Sequence, residues 1–285
     1  MPKRRPPFVF VHGAWHSATT WRLVMPLLEA RGHMVRALDL PGAGANAKIP
    51  AAYERHPFDA AVFATEPSPN ADTTQEERTR AVTELIEEVT QAAGAPAILV
   101  GHSLGGLTIT AAAEAVPERV GAIVYLSAFL LPSGWTAHAM IRHPIMGPSL
   151  VPCLFLANPE LIGALRINPR SGSADYRQQM RSTFYHDVSD ADVKSALSHL
   201  HCDEPLGVLF SATAATVTRF GRVRRHYIRC LYDRAIPIAA QDFMLAEADE
   251  AIGGPTRVYT LAASHSPFYS QPQALVEVLG DIAFA

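Results

Sequence analysis

Short apolar runs alternate with amphipathic segments along most of this chain. The segment 75–93 is the clearest helix, because Val82, Leu85, Ile86 and Val89 share one face at helical spacing. We predict strands at 8–11, 34–38, 97–100, 120–126, 225–231 and 257–261. We predict helices at 17–30, 75–93, 239–248 and 272–283, and one that begins at Leu104. Strands that alternate with helices indicate an α/β fold with a mostly parallel central sheet flanked by helices.

Two stretches interrupt this alternation. Residues 43–74 are rich in Ala, Pro and Asn, which predicts a long loop with one helical turn. From residue 132 to about 218 the strand signals fade, and helices are expected at 161–167, 173–184 and 189–200. We therefore predict a core formed by residues 1–131 and 222–285, with a mainly helical cap subdomain at 132–221 over the active site.

The segment from Gly101 to Gly105 has the pattern G-x-S-x-G, with Ser103 at its centre. A chance Gly-Ser-Gly loop would show the same letters. Here a buried strand precedes the motif and a helix-forming run follows it, which is the context of a nucleophile elbow. The small residues suit a strained turn that exposes the serine hydroxyl. Ser103 is therefore the predicted nucleophile.

A serine hydroxyl needs a base to accept its proton, and the base needs an orienting acid. In hydrolases with this elbow the chain order is serine, acid, histidine. Asp233 follows the strand at 225–231, and His265 follows the strand at 257–261. A turn aspartate ahead of Pro237 is the alternative interpretation of Asp233. The other candidates for the acid are Asp203, Asp242 and Asp249.

Two backbone N–H groups are expected to stabilise the oxyanion, one from Leu104 and one from Ala14 in the loop after the first strand. Gly13 leaves room there for the substrate carbonyl, while His12 and His102 are expected to be structural. The predicted substrate-binding residues are Gly13, His16, Phe129, Trp135 and Phe268. Further apolar candidates, each more often found in a core, are Trp15, Met140, Met146, Phe155, Leu156 and Phe184.

Composition agrees with one large α/β domain, since the chain has 285 residues, of which 48% are hydrophobic and 18% are charged. The net charge of -3 argues against nucleic acid as a partner. The three cysteines have no metal or redox spacing, and no metal or other cofactor is expected. No signal-like or membrane-spanning run follows the basic Lys3-Arg4-Arg5, so we expect a cytoplasmic protein without a membrane partner. The expected partner is a small-molecule ester, and a homodimer is left open.

Several motifs carry a family resemblance. H-G-A-x-H begins at His12, G-H-S-L-G-G at Gly101, D-x-x-I-P at Asp233 and S-H-S-P-F at Ser264. Together they resemble the hydroxynitrile lyase and plant methylesterase branch of the α/β-hydrolases. The end of the chain, with I-P-I-A-x-Q and A-S-H-x-P-F-Y-S, is similar to bacterial carboxylesterases that hydrolyse pyrethroids. The resemblance covers roughly residues 8–132 and 222–284, and implies a triad of Ser103, Asp233 and His265.

Departures from this branch favour one activity. Its hydroxynitrile lyases carry threonine after the first motif histidine and lysine after the catalytic histidine, where this chain has Gly13 and Ser266. We therefore expect a serine carboxylic ester hydrolase that forms an acyl-enzyme and acts on small to medium apolar or aromatic esters. The alternatives are a hydroxynitrile lyase-like or biosynthetic lyase or cyclase, and a ligand-binding protein with slow turnover.

Overall fold

Six strands form the parallel sheet at the centre of this computed structural model, which describes residues 5–284. Their order across the sheet is β2-β1-β3-β4-β7-β8. A separate antiparallel pair joins β5 and β6. The strands are β1 (Phe8–Val11), β2 (Val35–Ala37), β3 (Ala97–His102), β4 (Val120–Leu126), β5 (Ala164–Arg166), β6 (Asp203–Pro205), β7 (Arg225–Cys230) and β8 (Arg257–Leu261).

Helices cover both faces of the sheet because its central strands are apolar on both sides. In β1, Phe8 and Phe10 join one core cluster while Val9 and Val11 join the other. The α-helices are α1 (Met25–Glu29), α2 (Ala51–Glu54), α3 (Ala60–Thr65), α4 (Gln75–Ala93), α5 (Gly105–Ala115), α6 (Ala137–Ile141), α7 (Pro159–Ile162), α8 (Ala174–Phe184), α9 (Asp190–Ser198), α10 (Gly207–Phe210), α11 (Ile238–Ile252), α12 (Pro267–Ser270) and α13 (Pro272–Phe284). The predicted α/β class is confirmed.

The helix α4 shows why the strongest sequence signal was reliable. Thr74 caps it through a capping box with Glu77, and Gly94 ends it in a left-handed conformation. Val82, Ile86 and Val89 pack into the cluster that also holds Val9 and Val11. Its observed bounds equal the predicted range 75–93.

Three local predictions need correction. The helix expected at 17–30 is a 3-10 turn at Ala18–Trp21 followed by α1, where proline stands in the first turn. The segment 161–167, expected to be a helix, instead contains the end of α7 and the strand β5. Gly163, in a left-handed conformation with φ of 72°, ends the helix. The loop expected at 43–74 contains α2, α3 and a further 3-10 turn.

The segment between β4 and β7 includes helices α6 to α10 and the β5–β6 pair. The antiparallel pair is a strand component that the prediction of a mainly helical cap at 132–221 missed. The division into core and cap remains a prediction. Residues 1–4 and 285, which that division assigns to the core, lie outside the described residues, as do Lys3 and Arg4 of the basic start.

Candidate active site

Ser103 occupies a sharp turn between β3 and α5. Its φ of 52° is in the left-handed region, which a non-glycine residue adopts only at a strained position. Neighbouring backbone holds the turn, since the Ser103 N–H donates to Leu126 O at 3.3 Å and Ser103 O accepts from the Phe129 N–H at 3.0 Å. A Cβ on Gly106 would lie 2.3 Å from Phe129 O, so the first turn of α5 can approach this segment only as glycine.

Asp233 and His265 form a buried pair at the ends of β7 and β8. His265 Nδ1 lies 2.6 Å from Asp233 Oδ2, and both side chains are almost inaccessible to solvent. The other carboxylate oxygen of Asp233 accepts N–H bonds from Ala235 at 2.6 Å and Ile236 at 2.9 Å. The pair engages Nδ1 of the imidazole and leaves Nε2 as its proton-accepting atom. Ser103 and His265 line the same cavity.

The loop after β1 presents the backbone of Ala14 to this cavity. His12 Nε2 accepts the Leu40 N–H at 3.1 Å, so its Nδ1 carries the proton and donates to Gly13 O at 2.9 Å. The Gly13 C=O and the Ala14 N–H belong to the same trans peptide group and point in opposite directions. Because the Gly13 C=O faces His12, the Ala14 N–H points away from His12. Within the described chain, neither the Ala14 N–H nor the Leu104 N–H has a hydrogen-bond acceptor. Both residues line the cavity.

Burial keeps three histidines around the site neutral. It lowers the pKa of His12 to about 4 and that of His16 to about 3, and it lowers the pKa of His102 well below its usual value. His16 bonds Ala14 O through Nδ1 at 2.7 Å and the Tyr185 hydroxyl through Nε2 at 3.0 Å. His102 Nε2 bonds the backbone oxygen of His265 at 2.9 Å. His12 and His102 therefore make structural contacts, as expected from the sequence.

The cavity itself is strongly apolar and has about 640 Å³ of empty space, including its opening to solvent. Among the described residues that line it, none is Asp, Glu, Lys or Arg. Its polar lining consists of His16, Ser103, Ser149 and His265. Its apolar lining consists of Ala14, Trp15, Leu104, Phe129, Ile141, Met146, Val151, Pro152, Phe155, Leu165, Phe184, Leu209, Ala235 and Ile236.

The predicted substrate-binding residues fall into two groups. His16 and Phe129 line the cavity, and Gly13 touches its nucleophile, since a Cβ there would lie 2.7 Å from Ser103 Cβ. Trp135 and Phe268 do not line it, which corrects the prediction. Trp135 packs against Phe243, and the fully buried ring of Phe268 lies behind the site against Trp21 and His102. Of the further candidates, Trp15, Met146, Phe155 and Phe184 line the cavity, whereas Met140 and Leu156 do not.

Two residues that support the site were missed in the sequence. Ser127 (φ 40°) follows β4 and donates a short hydrogen bond from Oγ to Asp233 Oδ2. Its place directly after a buried central strand is a signal that could have identified it. Glu204 in β6 accepts the Trp15 N–H at 3.2 Å and pairs with Arg78 at 2.6 Å. Nothing local in the sequence connects Glu204 with the loop after β1.

Residues 5–284 also bear on two other kinds of site, a membrane span and a metal centre. In this part of the chain no helix combines the length and hydrophobicity that crossing a bilayer requires. The same residues contain no group of three or more His, Cys, Asp or Glu side chains arranged to hold a metal ion.

Known proteins resemble this chain over most of its length. The model of the alpha/beta hydrolase family matches residues 8–278. A pyrethroid hydrolase from Sphingobium wenxiniae is 29% identical over 283 residues, which cover 97% of this chain and 87% of that protein. A putative chloroplastic methylesterase of Arabidopsis thaliana, methylesterase 11, is 27% identical over 282 residues, covering 97% and 63% of the two chains.

A solved structure is similar over nearly the whole chain. The crystal structure of the pyrethroid hydrolase PytH superposes with a TM-score of 0.77 and 27% identity, covering 99% of this chain and 98% of that one. These similarities confirm the family resemblance and the fold expected from the motifs. The hydrolase and methylesterase relatives support a carboxylesterase activity.

Proposed function

Because this chain belongs to the alpha/beta hydrolase family, we propose that it hydrolyses carboxylic esters with Ser103 as nucleophile, His265 as base and Asp233 as the orienting acid. One observation carries this proposal: a serine in a strained elbow and a buried His–Asp pair meet at a single apolar cavity. The N–H groups of Ala14 and Leu104, which have no acceptor among residues 5–284, belong to residues that line the same cavity. This set of groups matches the requirements of acyl transfer.

The proposed reaction has two stages. Ser103 Oγ attacks the ester carbonyl carbon as His265 Nε2 takes the hydroxyl proton, and the N–H groups of Ala14 and Leu104 stabilise the oxyanion. The C–O bond to the alcohol then breaks, and the alcohol leaves with the proton from His265. Water next attacks the acyl-enzyme while His265 accepts one of its protons. Release of the acid returns that proton to Ser103 Oγ.

Asp233 is suited to hold the histidine because its own position is fixed. Three donors besides His265 bond it, namely the Ser127 hydroxyl and the N–H groups of Ala235 and Ile236. A carboxylate at this position stabilises the imidazolium formed during attack. The tautomer with the proton on Nδ1 follows from the same contact.

The apolar lining supports uncharged substrates. A carboxylate or ammonium on the substrate would lose water in this cavity without a charged partner among the described lining residues. We therefore propose small to medium apolar or aromatic esters, in contact with His16 and Phe129 and admitted beside Gly13. Lining residues such as Met146 and Phe155 support the proposal that 132–221 acts as a cap. A cytoplasmic location and a homodimer remain predictions.

The test is turnover and product analysis on a panel of p-nitrophenyl and methyl esters. We expect free acid and alcohol in equal amounts, with kcat reduced by several orders of magnitude in Ser103→Ala. Ser198→Ala in the exposed end of α9 is the matched control and keeps wild-type activity. Aldehyde and cyanide from a cyanohydrin, a cyclised product, or stoichiometric binding without turnover by the folded enzyme would each contradict ester hydrolysis.

A further inference from the structure

A second cavity lies directly behind the active-site cavity. Five residues line both spaces and form what we term the shared wall: Ile141, Pro152, Phe155, Leu165 and Leu209. The second space, which we term the outer cavity, is bounded on its far side by His138, Leu206 and Phe210 among others. The two cavities therefore adjoin each other at these five residues.

The shared wall is assembled from side chains of separate elements. Ile141 ends α6, Leu165 lies in β5, and Leu209 lies in α10. Phe155 directly follows a 3-10 turn. Every one of these side chains is apolar, so an apolar chain could pass between them without leaving a polar group unpaired.

The mouth of the outer cavity exposes apolar surface to solvent. Phe210 is 48% exposed although its ring stacks on His138, with centroids 4.3 Å apart. Phe210 therefore offers apolar surface to a ligand that enters the outer cavity. Arg142 and Glu160 also line this cavity and bring one charge of each sign. The mouth therefore has no net charge that would select an ionic ligand.

We propose that the outer cavity binds the distal apolar part of an elongated uncharged ester whose carbonyl group lies at Ser103. The inference rests on the proposed ester hydrolysis and extends it to a substrate class, esters with a long alkyl or aryl arm. Its support is that the two spaces adjoin each other and that all five residues bordering both are apolar. Burying the arm would remove both its own surface and that of Phe210 from water.

The experiment compares a short and a long substrate in two matched variants. Phe210→Glu places a charge at the mouth of the outer cavity, whereas Leu161→Glu places one at a 76% exposed position of α7 that lines neither cavity. We expect Phe210→Glu to lower kcat/KM for p-nitrophenyl decanoate by about tenfold, the effect of losing one or two buried methylene contacts. Hydrolysis of p-nitrophenyl butyrate should not change, and Leu161→Glu should behave as wild type with both.

A second variant guards against a local folding effect. Leu206→Trp fills the outer cavity with apolar volume, so it should also reduce decanoate hydrolysis selectively while the melting temperature stays close to wild type. A parallel series of acetate esters with lengthening alcohols tells whether the acyl or the alcohol arm enters the outer cavity. Selectivity in either series supports the proposal.

Two results would overturn it, and they differ from a failure of the proposed function. If the wild type hydrolyses butyrate through Ser103 but both variants keep wild-type activity with both esters, the outer cavity does not bind substrate. The same holds if both variants lower the two activities by the same factor. If no ester is turned over by the wild type, ester hydrolysis itself is wrong and the substrate class falls with it.

Discussion

Substitution of Gly13 by alanine tests how closely the oxyanion loop must approach the nucleophile. A Cβ at this position would lie 2.7 Å from Ser103 Cβ, 3.0 Å from His102 Nδ1 and 3.1 Å from His102 O. His102 is fully buried and bonded to the His265 backbone, so it cannot retreat. Gly13 is not among the residues with positive φ, and alanine therefore meets no backbone restriction there. The effect is purely one of space.

The expected magnitude follows from the displacement. Ordinary van der Waals contact of a Cβ begins at 3.4 Å, so the loop must move by about 0.7 Å relative to Ser103. Such a shift takes the Ala14 N–H out of line with the developing oxyanion, and loss of one oxyanion donor costs roughly 10²–10³ in kcat, about 2.7–4 kcal/mol. KM should change little because the oxyanion exists only in the transition state. Overpacking should lower the stability by about 1–3 kcal/mol.

The assay is steady-state hydrolysis of p-nitrophenyl butyrate together with thermal unfolding. Gly172→Ala is the matched control, because a Cβ there meets nothing within 4 Å and the residue has no positive φ. It should keep the kcat and melting temperature of the wild type. A Gly13→Ala enzyme with wild-type kcat would refute the reasoning that the Ala14 N–H forms the oxyanion hole at this distance from Ser103.

Three further predictions concern the groups that support the site. Ser127→Ala removes the hydroxyl group that donates to Asp233, and a hydrogen bond to a charged group is worth about 1.5–3 kcal/mol. We therefore expect kcat to fall at least tenfold with little change in KM, and a wild-type kcat would speak against this role. Glu204→Ala leaves the buried guanidinium of Arg78 without its carboxylate partner, so urea unfolding should show a free energy of unfolding that is lower by about 3–5 kcal/mol. A decrease as small as that for a surface ion pair would contradict this interpretation. The lowered pKa values of His12 (about 4) and His16 (about 3), against 6.5 when unfolded, mean that the unfolded chain binds more protons below pH 6.5. The free energy of unfolding should therefore be highest above that pH and decrease as the pH falls, by about 2 kcal/mol for each of the two histidines near pH 5. Urea unfolding curves that are identical at neutral and acidic pH would contradict this.

The features that could be predicted from sequence are those fixed by neighbouring residues. The elbow depends on a buried strand, small flanking residues and a following helix, all within a few positions of Ser103. The strands at 120–126 and 257–261 have the predicted bounds because each is an apolar or β-branched run with clear ends. Chain order then placed Asp233 and His265 at adjacent strand ends, where the structure joins them.

The features that were missed depend on contacts between distant segments. Phe268 stands three residues after the candidate base His265, yet α12 turns its ring into the core against Trp21. The β5–β6 pair forms from two three-residue strands with 36 residues between them, too short to show periodicity. Glu204 shows no local sign of its function, because its partners Trp15 and Arg78 come from other parts of the chain.

These distant contacts connect the segment 132–221 to the loop after β1. Glu204 accepts the Trp15 N–H, the His201 N–H donates to Trp15 O at 2.7 Å, and Tyr185 bonds His16. All three contacts hold the loop whose Ala14 N–H faces the cavity. Substitutions in this segment that disturb the loop should therefore lower kcat, whereas those that reshape only the apolar lining should mainly change the ranking of substrates. If the two groups of substitutions had the same effect on kcat and on substrate ranking, this division of roles within the segment would be wrong.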